Sequence, residues 1–384
     1  MAKNLGIKIF GPAQSINAWG LYTREIALAL YDIGINVNLV DTTQQGDFQT
    51  KTSIMERGKL ALLLQNQNNP LDKNYVAIQI NSPEKISFTD NDAIANIAWT
   101  GVDVDDVPMI SAMMLSNPAI KQVWVPGSWQ KDVFDRIPAI KQKTKIVNFG
   151  VNNKKMSTAK ASMKLEKDTF YFSHVGSLKE QNATDAVLKA FYSEFKDDDN
   201  VKLILKLFHG NIDKKQEKEL MEKFTNQFKN GSKAKVLYVS GIYPENSINE
   251  IIASSNCYIS TARGKHWNNS VLKAMAANRP VIVNLLAGNR QYCSGENSFQ
   301  VSSKKIQINS MQWLMQNALY QGSSWFEPNP EELKKVMRNV YNLSKENPEE
   351  LSKLAERGRN KALKLDWKNI AVEVLKNIKQ YEVQ

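Results

Sequence analysis

The feature that most constrains this chain is an alternation, repeated in two series, of short apolar runs with segments of helical periodicity. Residues 8–10 open an apolar strand, a loop from Gly11 to Gly20 follows, and residues 21–32 gather Leu21, Ile26, Ala29 and Leu30 on one helical face. Gly34 closes that helix, and residues 36–40 return as a strand. Strand, glycine-containing loop, helix and strand make a βαβ unit whose helix N-terminus can face a phosphate. The loop itself matches neither the dinucleotide fingerprint nor a Walker loop. Further strands are expected at 75–80 and 93–98, and residues 122–129 read as a strand, a turn and a helix opening. A second series starts at 170, with strand 170–175, helix 183–195, strand 201–207 and a lysine-rich helix 214–228. Strands at 235–240, 257–260 and 281–284 complete it. Such alternation requires parallel sheets flanked by helices. Two series in 384 residues predict an α/β chain of two Rossmann-like domains facing one another across a cleft. From residue 309 the chain reads as helical, with breaks near Pro328, Pro330 and Pro348.

Charge separates the halves. Residues 1–150 hold 14 basic and 14 acidic side chains, whereas the remainder holds 36 and 25 and so carries the whole excess of +11. A basic half can attract nucleotides, nucleic acid or an anionic surface, or can simply be a solvated lysine-rich face. Part of the excess lies in residues 152–168, which read as an exposed linker. No apolar run approaches ~18 residues, so no membrane span is expected. The first ten residues read as a strand rather than a signal peptide. Two cysteines, Cys257 and Cys293, fit a reducing cytoplasm and provide neither a disulfide framework nor a metal site.

The most specific motif runs from residue 260 to 283: Arg263-Gly264-Lys265, then Lys273-Ala274-Met275-Ala276, then Pro280-Val281-Ile282. It resembles the donor-site signature of family-4 retaining glycosyltransferases, with lysine at both positions where that signature has glutamate. The resemblance extends over essentially the whole chain and is strongest from residue 170 to 300. It implies the GT-B fold, with a first domain over 1–150 joined by a crossing-back helix in 365–384, and a nucleotide-sugar domain over 151–364. Residues 122–129 and 145–152 resemble the family's turn and its first-domain close, with Phe149 at the usual His and Asn152 at the usual Asp.

The resemblance also assigns roles. Gly11 and Gly20 belong to the loop that faces the transferred sugar and acceptor. Where the family places an Arg and a Lys for the diphosphate, this chain has Gln181-Asn182-Ala183, and the alternative Arg position is Ser177. Lys179 stands two positions away, and Lys206 is retained from a common family pattern. The turn around Gly288 resembles the family's glycine-rich approach to the diphosphate. Donor contacts are therefore expected from Gly11, Gly20, Ser177, Lys179, Asn182, Lys206, Arg263, Gly264, Lys265, Lys273 and Gly288.

A departing nucleoside diphosphate carries about two to three negative charges, which cations and a helix N-terminus can stabilise without a metal. Lysine only donates hydrogen bonds, so Lys265 and Lys273 cannot copy glutamates that accept from ribose hydroxyls. Placed near the phosphates, they would instead replace the missing Arg and Lys. At the family's Trp-Glu position stand Trp99 and Thr100, leaving Asp103, Asp105 and Asp106 as carboxylates able to orient or deprotonate an acceptor hydroxyl. All three histidines lie in the second half, and His174, at a strand tip, is the candidate for proton transfer; a buried structural role is its alternative.

The expected chemistry is transfer of a hexose or pentose from a nucleotide sugar, a UDP- or GDP-sugar, with no other cofactor. The acceptor is left open between a glycan, a lipid and a DNA hydroxyl such as a hydroxymethylated pyrimidine of phage-type DNA. The alternative is a catalytically silent partner or binding protein.

Overall fold

The computed structural model describes residues 5–45, 53–65, 71, 74–86, 89–159, 163–196, 199–208, 214–239, 241, 243–285 and 287–382. His209 and the first four residues of the expected opening strand lie outside the described residues. The chain divides into two compact units, Met1–Asn152 with Leu365–Gln384, and Asn153–Lys364.

Unit 1 contains β1 (Gly6–Gly11), α1 (Ala18–Asp32), β2 (Val37–Asp41), α2 (Ile54–Gln65), β3 (Tyr75–Ile80), β4 (Ala95–Trp99), α3 (Met109–Leu115), β5 (Ile120–Val125), α4 (Ser128–Phe134), α5 (Pro138–Lys141) and β6 (Thr144–Ile146). The strands form one sheet in the order β2-β1-β3-β4-β5-β6, and every pairing is parallel. Every residue of β3 and β4 is buried, as continuous apolar runs covered on both faces require. Asn17 starts α1 by accepting the Gly20 N–H at 2.8 Å.

Unit 2 contains α6 (Asn153–Thr158), β7 (Phe170–Ser177), α7 (Thr184–Glu194), β8 (Val201–Phe208), α8 (Lys214–Lys229), β9 (Lys235–Val239), α9 (Glu245–Ser254), β10 (Cys257–Ser260), α10 (Asn269–Ala276), β11 (Val281–Asn284) and β12 (Phe299–Val301). There follow β13 (Ser303–Gln307), α11 (Met311–Gln316), β14 (Ser324–Pro328), α12 (Pro330–Glu346) and α13 (Pro348–Lys364). Its main sheet is again wholly parallel, in the order β12-β11-β10-β7-β8-β9. Phe172, Phe191, Phe195, Leu203, Ile259 and Ile282 anchor its core. Helix α14 (Trp367–Ile378) belongs to unit 1. Gly150 admits it, because a Cβ there would stand 2.8 Å from the Trp367 ring.

Two expectations are corrected. Residues 152–168 are not wholly an exposed linker, since α6 opens that stretch and buries Met156. The stretch from 309 is not wholly helical either, because β14 pairs antiparallel with β13 before α12 begins. Phe149 has a packing role: it stacks on Tyr22 at 4.0 Å and on Trp99 at 5.0 Å, and all three rings are fully buried. Burying one such ring stabilises the unit by roughly 2–3 kcal/mol.

Candidate functional site

Numbered from β7, the sheet of unit 2 has the order 3-2-1-4-5-6, with its reversal between β7 and β10. In open parallel sheets, ligands bind beyond the carboxyl ends of the strands at that reversal. The chain leaves β7 through Gly176 and Ser177, and leaves β10 into the Arg263-Gly264-Lys265 loop. Most of the expected donor residues of unit 2 therefore share one edge.

At that edge the charge of Arg263 is met from within the unit. It reaches Asp185 through Nη1 and Nη2, both at 2.9 Å, and Glu327 through Nε and through Nη2 at 2.8 Å. Nη1 also donates to the Glu180 carbonyl at 2.5 Å. A guanidinium has five N–H donors, and all five are used. Burial opposes its charge, but Glu327 and Asp185 outweigh burial and hold its pKa above the usual arginine value. Arg263 is thus a strut between the start of α7 and β14, which corrects its expected role as a diphosphate contact.

Lys273 is corrected in a similar way. Its ammonium, almost fully buried, donates to Glu245 at 2.6 Å in the first turn of α9. Lys265 differs. It is half-buried, its carbonyl accepts the Gly288 N–H at 2.9 Å, and its charge acts on the imidazole of His174 at the end of β7. Of the two lysines at the motif's acidic positions, Lys265 is the one next to the strand reversal. Gly264 is buried in the same loop.

His174 is 1% exposed, with Nδ1 2.9 Å from the Ile259 carbonyl and Nε2 3.1 Å from Thr184 Oγ1. A carbonyl can only accept, so Nδ1 carries the proton of the neutral ring. Burial pushes its pKa down to about 4; the Ile259 carbonyl acts against burial, and the charge of Lys265 acts with it. The ring links β7, β10 and α7 and is sealed from solvent, which corrects its candidacy for proton transfer.

The remaining polar residues organise the turn after β7. Asn182 donates from Nδ2 to Ser177 Oγ at 2.7 Å, and the Lys179 N–H reaches the same oxygen at 3.3 Å. The Lys179 side chain is exposed. On the neighbouring strand, buried Lys206 donates to the carbonyls of Leu207 and Gly241, both at 2.8 Å. Burial lowers its pKa, partly offset by Glu217.

The glycines have packing reasons. A Cβ at Gly288 would stand 2.6 Å from the His266 carbonyl, one at Gly20 2.2 Å from the Ser15 carbonyl, and one at Gly11 2.2 Å from Thr23 Oγ1. Asn268 precedes α10 but donates to Ser260 Oγ at 2.8 Å instead of capping it.

In unit 1, Asp103, Asp105 and Asp106 lie on the loop between β4 and α3, at the carboxyl edge of that sheet. Asp106 is exposed and accepts the Val107 N–H at 2.8 Å; Asp105 is buried, with its carbonyl bonded to Arg136 at 2.9 Å. Sequence reasoning missed a cavity of about 230 Å³ at the same edge, lined by Phe10, Thr42, Gln79, Asn81, Glu84 and Lys85. It opens where the strand order reverses between β1 and β3. The usable signal was the run of polar residues just after the apolar β3. Glu245, Asp185 and Glu327 were also missed, because nothing in their spacing ties them to the motif. Among the described residues, no group of three or more His, Cys, Asp or Glu side chains could hold a metal ion.

Residues 169–317 match the family described as glycosyl transferases group 1. No curated protein matches the chain by sequence. Among solved structures it is similar to HepE from Anabaena in complex with UDP-glucose, at TM-score 0.64 and 12% identity, covering 98% of this chain and 99% of that one. It is also similar to a glycosyltransferase from Rickettsia africae, at TM-score 0.68 and 11% identity, covering 99% of each chain. A third match is sucrose-phosphate synthase from Thermosynechococcus elongatus, at TM-score 0.65 and 14% identity, covering 98% of each. The match places a segment similar to glycosyl transferases group 1 in unit 2, and the structural likeness shows the GT-B fold.

Proposed function

We propose that this chain is a glycosyltransferase that takes its sugar from a nucleoside diphosphate sugar bound at the carboxyl edge of the unit 2 sheet. The observation that carries this reading is the position of Lys265 beside the β7–β10 reversal, with Lys206 and Lys179 on the flanking strand and turn. Arg263 and Lys273 are engaged in internal ion pairs and Lys206 in bonds to two carbonyls, so the half-buried Lys265 and the exposed Lys179 are the side chains proposed to meet the diphosphate. Uridine is the favoured base, because HepE, with a similar fold, is solved with UDP-glucose; GDP is the alternative.

In the proposed reaction the bond from the anomeric carbon to the diphosphate oxygen breaks, and a bond to the acceptor oxygen forms on the same face. The acceptor proton passes to the departing phosphate. The lysines stabilise the charge that develops there and take the place of a metal ion. Retention rests on the resemblance of residues 260–283 to retaining enzymes. Asp103, Asp105 or Asp106 would orient the acceptor hydroxyl.

For the acceptor, the charge of unit 1 favours a glycan or another polyol. That half of the sequence is neutral, and its cavity presents amides, a hydroxyl and one charge of each sign. A DNA acceptor would need a row of cations for its phosphates. Cys257 and Cys293 are free and buried, which suits a reducing cytoplasm. Among the described residues, no helix is long and apolar enough to cross a membrane.

A second reading, a silent nucleotide-binding partner, is favoured by the internal pairing of Arg263 and Lys273. The test is release of UDP or GDP from a panel of nucleotide sugars, with and without oligosaccharide, lipid and hydroxymethylated DNA acceptors. Turnover stimulated by one acceptor class is expected. Nucleotide binding without turnover on any pair would replace the enzyme reading with the silent one.

A further inference from the structure

The other edge of the unit 2 sheet holds a cavity of about 480 Å³, lined in part by Asp168, Asn256, Arg279, Ser344, Lys345 and Ser352. Asp168, Asn256 and Arg279 immediately precede or lead into β7, β10 and β11, so the cavity sits at the amino ends of those strands. The length of β7 sets it roughly 23 Å from the donor edge, at about 3.3 Å per residue.

Arg279 is the anomaly there. Its guanidinium has no hydrogen-bond or ion-pair partner among the described residues, and its Nε is buried without one. Burial lowers its pKa, but a guanidinium keeps its charge in a protein. The other well-packed arginines are paired: Arg263 to Asp185 and Glu327, Arg338 to Glu194 and Asp199, and Arg24 to two carbonyls. Asp168 lines the same cavity but is exposed and makes no ion pair with Arg279. A partly buried, unpaired cation is costly unless something outside the chain pairs with it.

We infer that this cavity is a second anion site, for a small phosphorylated polyol such as a sugar monophosphate. The phosphate pairs with Arg279, whose planar fork suits two phosphate oxygens, and with the exposed ammonium of Lys345. The hydroxyls of Ser344 and Ser352 and the amide of Asn256 meet the polyol. The site is separate from the donor edge and stands whether or not the chain is an active transferase.

The test is the melting temperature of the full chain with ribose 5-phosphate, inorganic phosphate or ribose, at constant ionic strength. A ligand that binds only the folded chain raises it. Ribose 5-phosphate is expected to stabilise the native chain, phosphate less, and ribose not at all. Arg279→Gln should lose the shift, while Lys265→Ala, on the donor edge, should keep it. Lys345→Glu alters an exposed position and leaves folding intact, so it keeps the inference testable if Arg279→Gln does not fold; it should weaken binding about tenfold. No shift in the native chain, a shift retained in Arg279→Gln, an undiminished shift in Lys345→Glu, or one lost in Lys265→Ala would each overturn the site.

Discussion

Arg263 and Asp185 meet through two parallel hydrogen bonds of 2.9 Å, Nη1 to Oδ1 and Nη2 to Oδ2. The pair fastens the first turn of α7 to the loop after β10, and Glu327 grips the guanidinium from the other side. At the strand reversal, the motif arginine therefore joins α7, the loop after β10 and β14.

Arg263→Met should destabilise unit 2 by about 3 kcal/mol, the low end for breaking a buried pair, because Glu327 is partly exposed. Burial alone would raise the Asp185 pKa, and Arg263 reverses that, so Asp185→Asn should also destabilise. Urea denaturation of both single variants and the double should give a cost well below the sum. Additive costs would contradict the strut.

Lys273 and Glu245 form the second internal pair. Lys273→Met should lower stability by roughly 2 kcal/mol. Nucleotide affinity should change less than about threefold, an amount below 1 kcal/mol. Calorimetric titration beside a melting curve separates the two effects. A large affinity loss with unchanged stability would return Lys273 to the donor site.

Stability should fall as pH drops from about 6.5 to about 4. The folded His174 titrates near 4 and an unfolded histidine near 6.5, so between those values the unfolded chain binds more protons. The contribution is fully present above 6.5 and amounts to about 3 kcal/mol when lost. Denaturation midpoints at pH 7 and pH 5 should converge in His174→Asn relative to the native chain. An unchanged difference would contradict the buried neutral ring.

Two glycines should respond in opposite directions. Gly20→Ala forces a Cβ against the Ser15 carbonyl at 2.2 Å and should cost at least about 2 kcal/mol. Gly58, inside α2, has nothing within 4 Å of a built Cβ. Gly58→Ala should stabilise unit 1 by about 0.5 kcal/mol, readable as a small rise in melting temperature.

The parallel sheets were legible because strands buried on both faces leave apolar runs, as in residues 75–80 and 201–207, that local periodicity cannot hide. The antiparallel β13–β14 pair was not, since the exposed Lys304, Lys305 and Gln307 of β13 break any apolar alternation. Within the site, the motif lysines were visible but their partners were not. Glu245 lies 28 positions before Lys273, and Glu327 lies 64 after Arg263. Both pairings depend on how α9 and β14 pack, which no local pattern encodes. Phe149 was identified at the family's histidine position, but its place between Tyr22 and Trp99 emerges only once α1 and β4 are brought together.

The most direct test of the account is calorimetric titration of UDP into the native chain, Lys265→Ala and Lys273→Ala at matched ionic strength. The account predicts binding to the native chain, roughly tenfold weaker binding to Lys265→Ala, and nearly native affinity in Lys273→Ala once its lower stability is allowed for. Equal affinity in Lys265→Ala, or no binding of UDP or GDP to the native chain, would contradict a lysine-based donor site.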